Sequence, residues 1–212
     1  MTHIKTAKQY TNLLTPCNIL PSFRYVYPYL RNKKVLDIGC ATGEYLQLFN
    51  PKSEGLDYSK KNIAICKKKK LKIKRFDFNK KLPYKANTFE GVFCSHVLEH
   101  VDSPIKLIQE CNRILIKNGV LVIGLPSEKT IVRNLYDHYF KDHPTHIYSF
   151  SQDCIENLLI KNGFLIIDKK LDFCLLHKIK LNLIIDKLQK FNKILFGVSN
   201  AYWIVTQKNE DL

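Results

Sequence analysis

Apolar residues along the chain follow two rhythms. Short apolar runs at 34–38 (KVLDI), 90–95 (EGVFCS), 120–125 (VLVIGL) and 164–170 (FLIIDKK) predict strands. A strand covered on both faces carries apolar side chains at successive positions, without polar alternation. Runs at 54–57 (EGLD), 72–76 (KIKRF) and 201–207 (AYWIVTQ) predict three more. Between the strands the apolar spacing is helical, at about 43–49, 59–69, 103–117 and 151–161. The segment DSPIKLIQECNRILIKNG is the clearest helix. It has Asp102/Ser103 as a start signal, Pro104 in the first turn and Gly119 beyond the end. Another helix is expected to start at Ser151 and stop at Gly163. Strands alternating with helices imply parallel pairing, right-handed crossovers and helices on both faces. The expected fold is therefore α/β, a Rossmann-like doubly wound sheet. Such sheets bind ligands beyond the carboxyl ends of their strands.

The residues after each strand carry the chemistry. After the first come Asp37, Gly39 and Gly43, in VLDIGCATGEYL. Glycines allow a tight turn and close approach of a ligand to the backbone. The series G-C-A-T-G-E does not match the G-x-G-x-x-G spacing of a dinucleotide turn. An acid beside this turn suits an ammonium, and a helix start suits a carboxylate. A ligand with both groups is an amino acid. After the second strand Asp57, in GLDYS, suits a ribose diol. After the third, Asp77 and Phe78 suit the edge and face of adenine. Amino acid, ribose and adenine together describe S-adenosylmethionine. Each residue alone has a plainer reading: a strand-to-helix turn for the glycines, a cap or turn acid for Asp57 and Asp77. Three such motifs in series favour the ligand.

The segments VLDIGCATGEYL, GLDYS, RFDFNKKLPYKANTFEGVFCSHVLEHV and RILIKNGVLVIGLPS resemble the successive motifs of class I S-adenosylmethionine-dependent methyltransferases. The resemblance spans about residues 33–170 and is closest to the small-molecule, methyltransferase type 11-like branch. It implies a seven-stranded, mostly parallel sheet with an antiparallel last strand at 201–207. It implies that Asp37 orders the turn and approaches the methionine ammonium. Gly39, Cys40, Ala41 and Gly43 would let the backbone pass under the methionine. Asp57 would take the ribose, Tyr58 the adenine face, and Asp77 and Phe78 the adenine edge. Ser95 and His96 would face the sulfonium. Ala41 stands where the family has its middle glycine.

Methyl transfer from a sulfonium depends mainly on alignment. A base is needed only where the acceptor must lose a proton early. His96 is the candidate for that role, and His100 is expected to pack behind the site. HVLEH also reads as H-x-x-E-H, an inverted zinc-protease signature with Glu156 as a remote acid. Its position directly after a strand argues against a metal, and none is expected. His138, His143 and His146 have loose metal-ligand spacing, but a loop over the substrate pocket is the preferred reading.

Charge changes the picture little. Against 34 Lys and Arg stand 19 Asp and Glu, a formal net charge of +15. The excess is nearly all lysine, whereas base-reading and phosphate-forking sites favour arginine. The resemblance implies that nitrogen-methylating nucleic-acid enzymes carry Asp/Asn-Pro-Pro-aromatic where this chain has SHVLEH. Cytosine-methylating enzymes need a Pro-Cys pair that Cys94 lacks. Nucleic acid is thus not the expected acceptor, with an RNA hydroxyl methyltransferase left as an alternative. Seven scattered cysteines without a C-x-x-C pair argue against a disulfide framework and fit a cytoplasmic, reduced protein. The start, MTHIKTAKQYTNLL, lacks an apolar core, so no signal peptide is expected.

The unshared parts should set specificity. Residues 1–32 form an N-terminal cap segment ahead of a methyltransferase domain at 33–212. Residues 126–150 form a long insertion, and such loops are often functional. Tyr139, His143 and His146 there are the candidate substrate-binding residues. Residues 177–199 read as a basic amphipathic helix, open to packing, a dimer contact or peripheral membrane contact. The expected acceptor is an oxygen or nitrogen of a small metabolite: a sugar, a glycan precursor or a lipid-linked intermediate. A non-catalytic module on the same fold is the other alternative. The oligomeric state is not set by the sequence.

Overall fold

The computed structural model describes residues 22–127, 147–172 and 201–209. Its strands are β1 (Val35–Ile38), β2 (Glu54–Asp57), β3 (Ile73–Arg75), β4 (Phe89–Ser95), β5 (Leu115–Pro126), β6 (Phe164–Asp172) and β7 (Ala201–Lys208). They form one sheet in the order β3-β2-β1-β4-β5-β7-β6. Pairs from β3 through β5 are parallel, and β7 runs antiparallel between β5 and β6. Strand order reverses between β1 and β4. That is where a doubly wound sheet opens its crevice at the carboxyl edge.

Four helices cover the sheet among the described residues: α1 (Phe23–Leu30), α2 (Lys60–Lys68), α3 (Pro104–Ile114) and α4 (Gln152–Lys161). Both faces are closed. α3 brings Leu107, Ile108, Cys111 and Ile114, and α4 brings Ile155 and Leu159, onto a face shared with Leu36, Ile38 and Ile123. On the other face Phe23, Val26 and Leu30 of α1 pack with Phe93 and Trp203. The Phe93 and Trp203 rings stack at 5.6 Å, and Phe23 meets Phe93 edge-on at 5.2 Å. Phe23 therefore builds core and Tyr25, Tyr27 and Tyr29 pack partly buried against it, while residues 1–21 lie outside the described residues.

Three local readings change. The helix expected over 43–49 is a single short turn at Leu46–Leu48. Gly43 has a φ of +84°, and Pro51 disfavours helical backbone at Asn50, so too few residues remain for a helix. They instead send Leu46 and Phe49 into the core. The helix expected to reach 117 stops at Ile114, because Leu115 turns extended and pairs with Phe89. Residues 116–119 bulge out before Val120 rejoins the ladder opposite Gly91. Residues 23–30, read only as part of a cap, are helical.

The helix expected over 177–199 and the residues Tyr139, His143 and His146 lie outside the described residues. Among the described residues no helix is long and apolar enough to cross a membrane. Cys40, Cys66, Cys94, Cys111 and Cys154 are free thiols.

Candidate functional site

The turn after β1 is held from three sides. Leu56 on β2 accepts the N–H groups of Gly39 and Cys40 through its carbonyl, at 2.8 and 3.0 Å. Gly39 and Gly43 sit at φ +72° and +84°, a region that favours glycine. A β-carbon on Gly39 would fall 2.4 Å from Cγ2 of Val97, and one on Gly43 2.4 Å from Cδ1 of Leu71. The first contact shows that the segment after β4 touches the turn after β1. Ala41, also left-handed at φ +47°, is exposed at the tip. Cys40 faces the core, its Sγ against Gly55, so only its backbone serves the turn.

Asp57 anchors this turn. One carboxylate oxygen accepts the Ala41 N–H at 2.9 Å. The other accepts the Ser59 N–H at 2.8 Å and the Asn62 amide at 3.1 Å. An ionised carboxylate has about four acceptor sites, so about one is left for a ligand hydroxyl.

Asp37 is the unsatisfied member. It is 1 % exposed, and its Oδ2 has no hydrogen-bond partner. Its carboxyl is held well above the usual carboxylate range, first by burial, then by Asp57 and Glu44. Glu44 in turn takes the Thr42 hydroxyl and lies 3.5 Å from Lys69 Nζ. A buried acid of this kind gains most from a cation brought to it.

The other predicted residues are more open. Tyr58 is 62 % exposed, with the Arg75 guanidinium 5.2 Å from its ring centre. Asp77 closes a turn by accepting the Asn79 N–H at 3.1 Å. Phe78 is half-buried against the core beside Phe76. Ser95 ends β4 opposite Gly124. His96 follows at φ +54°, its N–H donating to the Gly124 carbonyl at 2.9 Å. Strained backbone of this kind clusters at functional sites.

Three acids were not singled out from the sequence. Glu99 is wholly buried, 3.3 Å from Nδ1 of His96. Asp172, at the carboxyl end of β6, is also wholly buried, and neither carboxylate oxygen has a hydrogen-bond partner. The third is Glu44. Glu99 was visible only inside HVLEH, where it suggested zinc; Glu44 lies within VLDIGCATGEYL without an assigned role, and Asp172 sits in a string with no motif. The zinc-protease reading needs a helix through HVLEH. The segment forms a short turn at Leu98–His100, and Glu156 pairs with Lys169 at 2.9 Å. The described end of the insertion lies against this segment. Ile147 and Tyr148 donate N–H groups to the Glu99 carbonyl, and the Tyr148 hydroxyl donates to the Asp102 carbonyl at 2.9 Å.

The residues present fit S-adenosylmethionine. The orphaned, buried Asp37 oxygen suits its ammonium, and the acceptor site left on Asp57 suits a ribose hydroxyl. Comparison with known proteins agrees. A family model described as a methyltransferase domain matches residues 23–169. A ubiquinone biosynthesis O-methyltransferase of Pelagibacter ubique is 34% identical over 102 residues, covering 45% of this chain and 42% of that protein. A demethylmenaquinone methyltransferase of Alkalihalophilus pseudofirmus is 32% identical over 120 residues, covering 50% and 51%. The chain thus spans about half the length of these relatives. A solved methyltransferase from Archaeoglobus fulgidus superposes with a TM-score of 0.64 at 26% identity, covering 88% of this chain and 91% of that one. One from Mesorhizobium loti reaches 0.68 at 16% identity, covering 89% and 96%. With its sheet order, its glycine turn and a family match over most of its length, the chain belongs to the S-adenosylmethionine-dependent methyltransferases of class I.

Proposed function

We propose that the chain methylates an oxygen of a small metabolite with an apolar portion. The observation that carries the donor half is the buried, unpartnered Oδ2 of Asp37 beneath the glycine turn. Asp37 would hold the ammonium, the 39–43 backbone the methionine, and Asp57 a ribose hydroxyl. Asp77, Phe78 and Tyr58 would border the adenine, and Ser95 and His96 the sulfonium. When bound, S-adenosylmethionine supplies a methyl group on a good leaving group. The chain has then to align the acceptor, exclude water and receive the acceptor proton, and His96 would take that proton. The names of two relatives, a ubiquinone biosynthesis O-methyltransferase and a demethylmenaquinone methyltransferase, support a quinone-type small molecule as acceptor, and the first supports oxygen as the acceptor atom. The contacts of Ile147 and Tyr148 with Glu99 and Asp102 support an acceptor beside His96.

Calorimetric titration with S-adenosylmethionine and S-adenosylhomocysteine tests the donor half. Micromolar binding, weakened in Asp37→Asn, is expected. No binding by the folded protein would leave a non-catalytic module. Transfer of labelled methyl to a panel of prenylated phenols, sugars, amines and RNA tests the acceptor half. Label found only on amines or RNA would overturn the oxygen-metabolite reading.

A further inference from the structure

Glu99 and His96 stand in an unusual relation. Glu99 is wholly buried, and neither carboxylate oxygen has a hydrogen-bond partner. A carboxylate taken out of water without donors is costly, so a nearby basic group is drawn to it. That group is Nδ1 of His96, 3.3 Å from Oε1. The contact lacks hydrogen-bond alignment in this structure, as catalytic pairs often do before their ligands bind. Glu99 cannot readily swing away. Its carbonyl is held by the N–H groups of Ile147 and Tyr148, and its side chain sits inside the core. His96 is fixed at its backbone by Gly124, but its side chain is 39% exposed. One ring nitrogen thus faces a buried acid, while the ring itself is partly open to solvent just beyond the carboxyl end of β4.

We propose that Glu99 is a positioning residue: it accepts the Nδ1 proton of His96, sets the ring's tautomer and leaves Nε2 free to take a proton from the methyl acceptor. This rests on the oxygen-acceptor reading above. The acceptor O–H proton passes to Nε2. The oxygen keeps the O–H electron pair and forms its bond to the methyl carbon with it, and the broken carbon–sulfur pair stays on sulfur. The His96 imidazolium so formed lies beside Glu99, which offsets its charge. Asp172 on β6 adds a second buried acid within electrostatic reach of His96. Cys94 behind it is a buried thiol and adds no cation. His100 is the remaining titratable side chain on the same segment.

Nitrogen-15 spectra of the imidazole rings test this without cofactor or acceptor, so the outcome is separate from whether methyl transfer occurs. The His96 signals are identified by their loss in His96→Gln. At a pH where the ring is neutral, the proton is expected on Nδ1. Glu99→Leu, which puts an apolar side chain in an apolar site, is expected to move it to Nε2. Glu99→Gln keeps an acceptor oxygen and is expected to retain the Nδ1 form. A wild-type ring protonated on Nε2, or a tautomer unchanged in Glu99→Leu, would overturn the proposal. The wild-type spectrum alone decides if that variant does not fold.

Discussion

Asp57 holds the N–H of Ala41 at 2.9 Å and, through its other oxygen, the N–H of Ser59 and the amide of Asn62. A single carboxylate therefore joins the end of β2, the turn after β1 and the start of α2. The residue expected to meet a ribose also fixes the glycine turn after β1.

Asp57→Ala leaves three donors without their acceptor. Hydrogen bonds to charged groups are each worth about 1.5–3 kcal/mol. A loss on the order of 3 kcal/mol is expected in urea unfolding, together with loss of S-adenosylmethionine binding. Asp57→Asn keeps one acceptor oxygen and should lose about half as much. Equal stability of Asp57→Ala and wild type would contradict this role.

The turn separates positions that need glycine from one that tolerates a side chain. Gly39→Ala and Gly43→Ala each place a β-carbon 2.4 Å from an existing methyl group, at positive φ. Overpacking and left-handed strain together cost about 3 kcal/mol each. Ala41→Gly relieves the strain at φ +47°, with open solvent around it. It should stabilise the apo protein by about 1 kcal/mol. Thermal unfolding of the three variants measures the contrast.

Asp37 trades stability for binding. Its raised pKa, due first to burial, means the folded state holds the proton more tightly than the unfolded chain. The cost of ionising it is therefore present above the raised value and absent below the unfolded one. Asp37→Asn should raise the apo melting temperature at pH 8 and weaken S-adenosylmethionine binding by at least about tenfold. Calorimetry and thermal unfolding on the same samples read both signs.

Asp172 gives a pH signature. Burial pushes its carboxyl up to about 6 from 3.8, although Ser22 and His96 partly oppose this. A group bound more tightly to its proton in the folded state lowers stability as pH rises from the unfolded to the folded value. The cost should grow between pH 3.8 and about 6 and level off above, at about 3 kcal/mol. Asp172→Asn should be more stable than wild type at pH 7 and indistinguishable from it near pH 3.5. A difference between the two that does not change with pH would remove Asp172 as the cause.

Much of the fold was already written along the chain, for a physical reason. Apolar runs such as VLVIGL and caps such as Ser103–Pro104 act through neighbours a few residues away, and their pattern shows in one dimension. The glycine turn was legible in the same way, because Gly39 and Gly43 answer a local backbone demand. Where long-range pairing competed with local pattern, tertiary structure decided. Leu115 left its helix to pair with Phe89, and 43–49 gave up helix to fill the core with Leu46 and Phe49. The site divides along the same line. Asp37 and Asp57 could be named from strand ends. That Asp57 is mostly occupied by the chain's own donors, and that Glu99 lies buried beneath His96, depends on which segments meet in space. Burial and the absence of a partner are properties of that meeting, and no spacing along the chain encodes them.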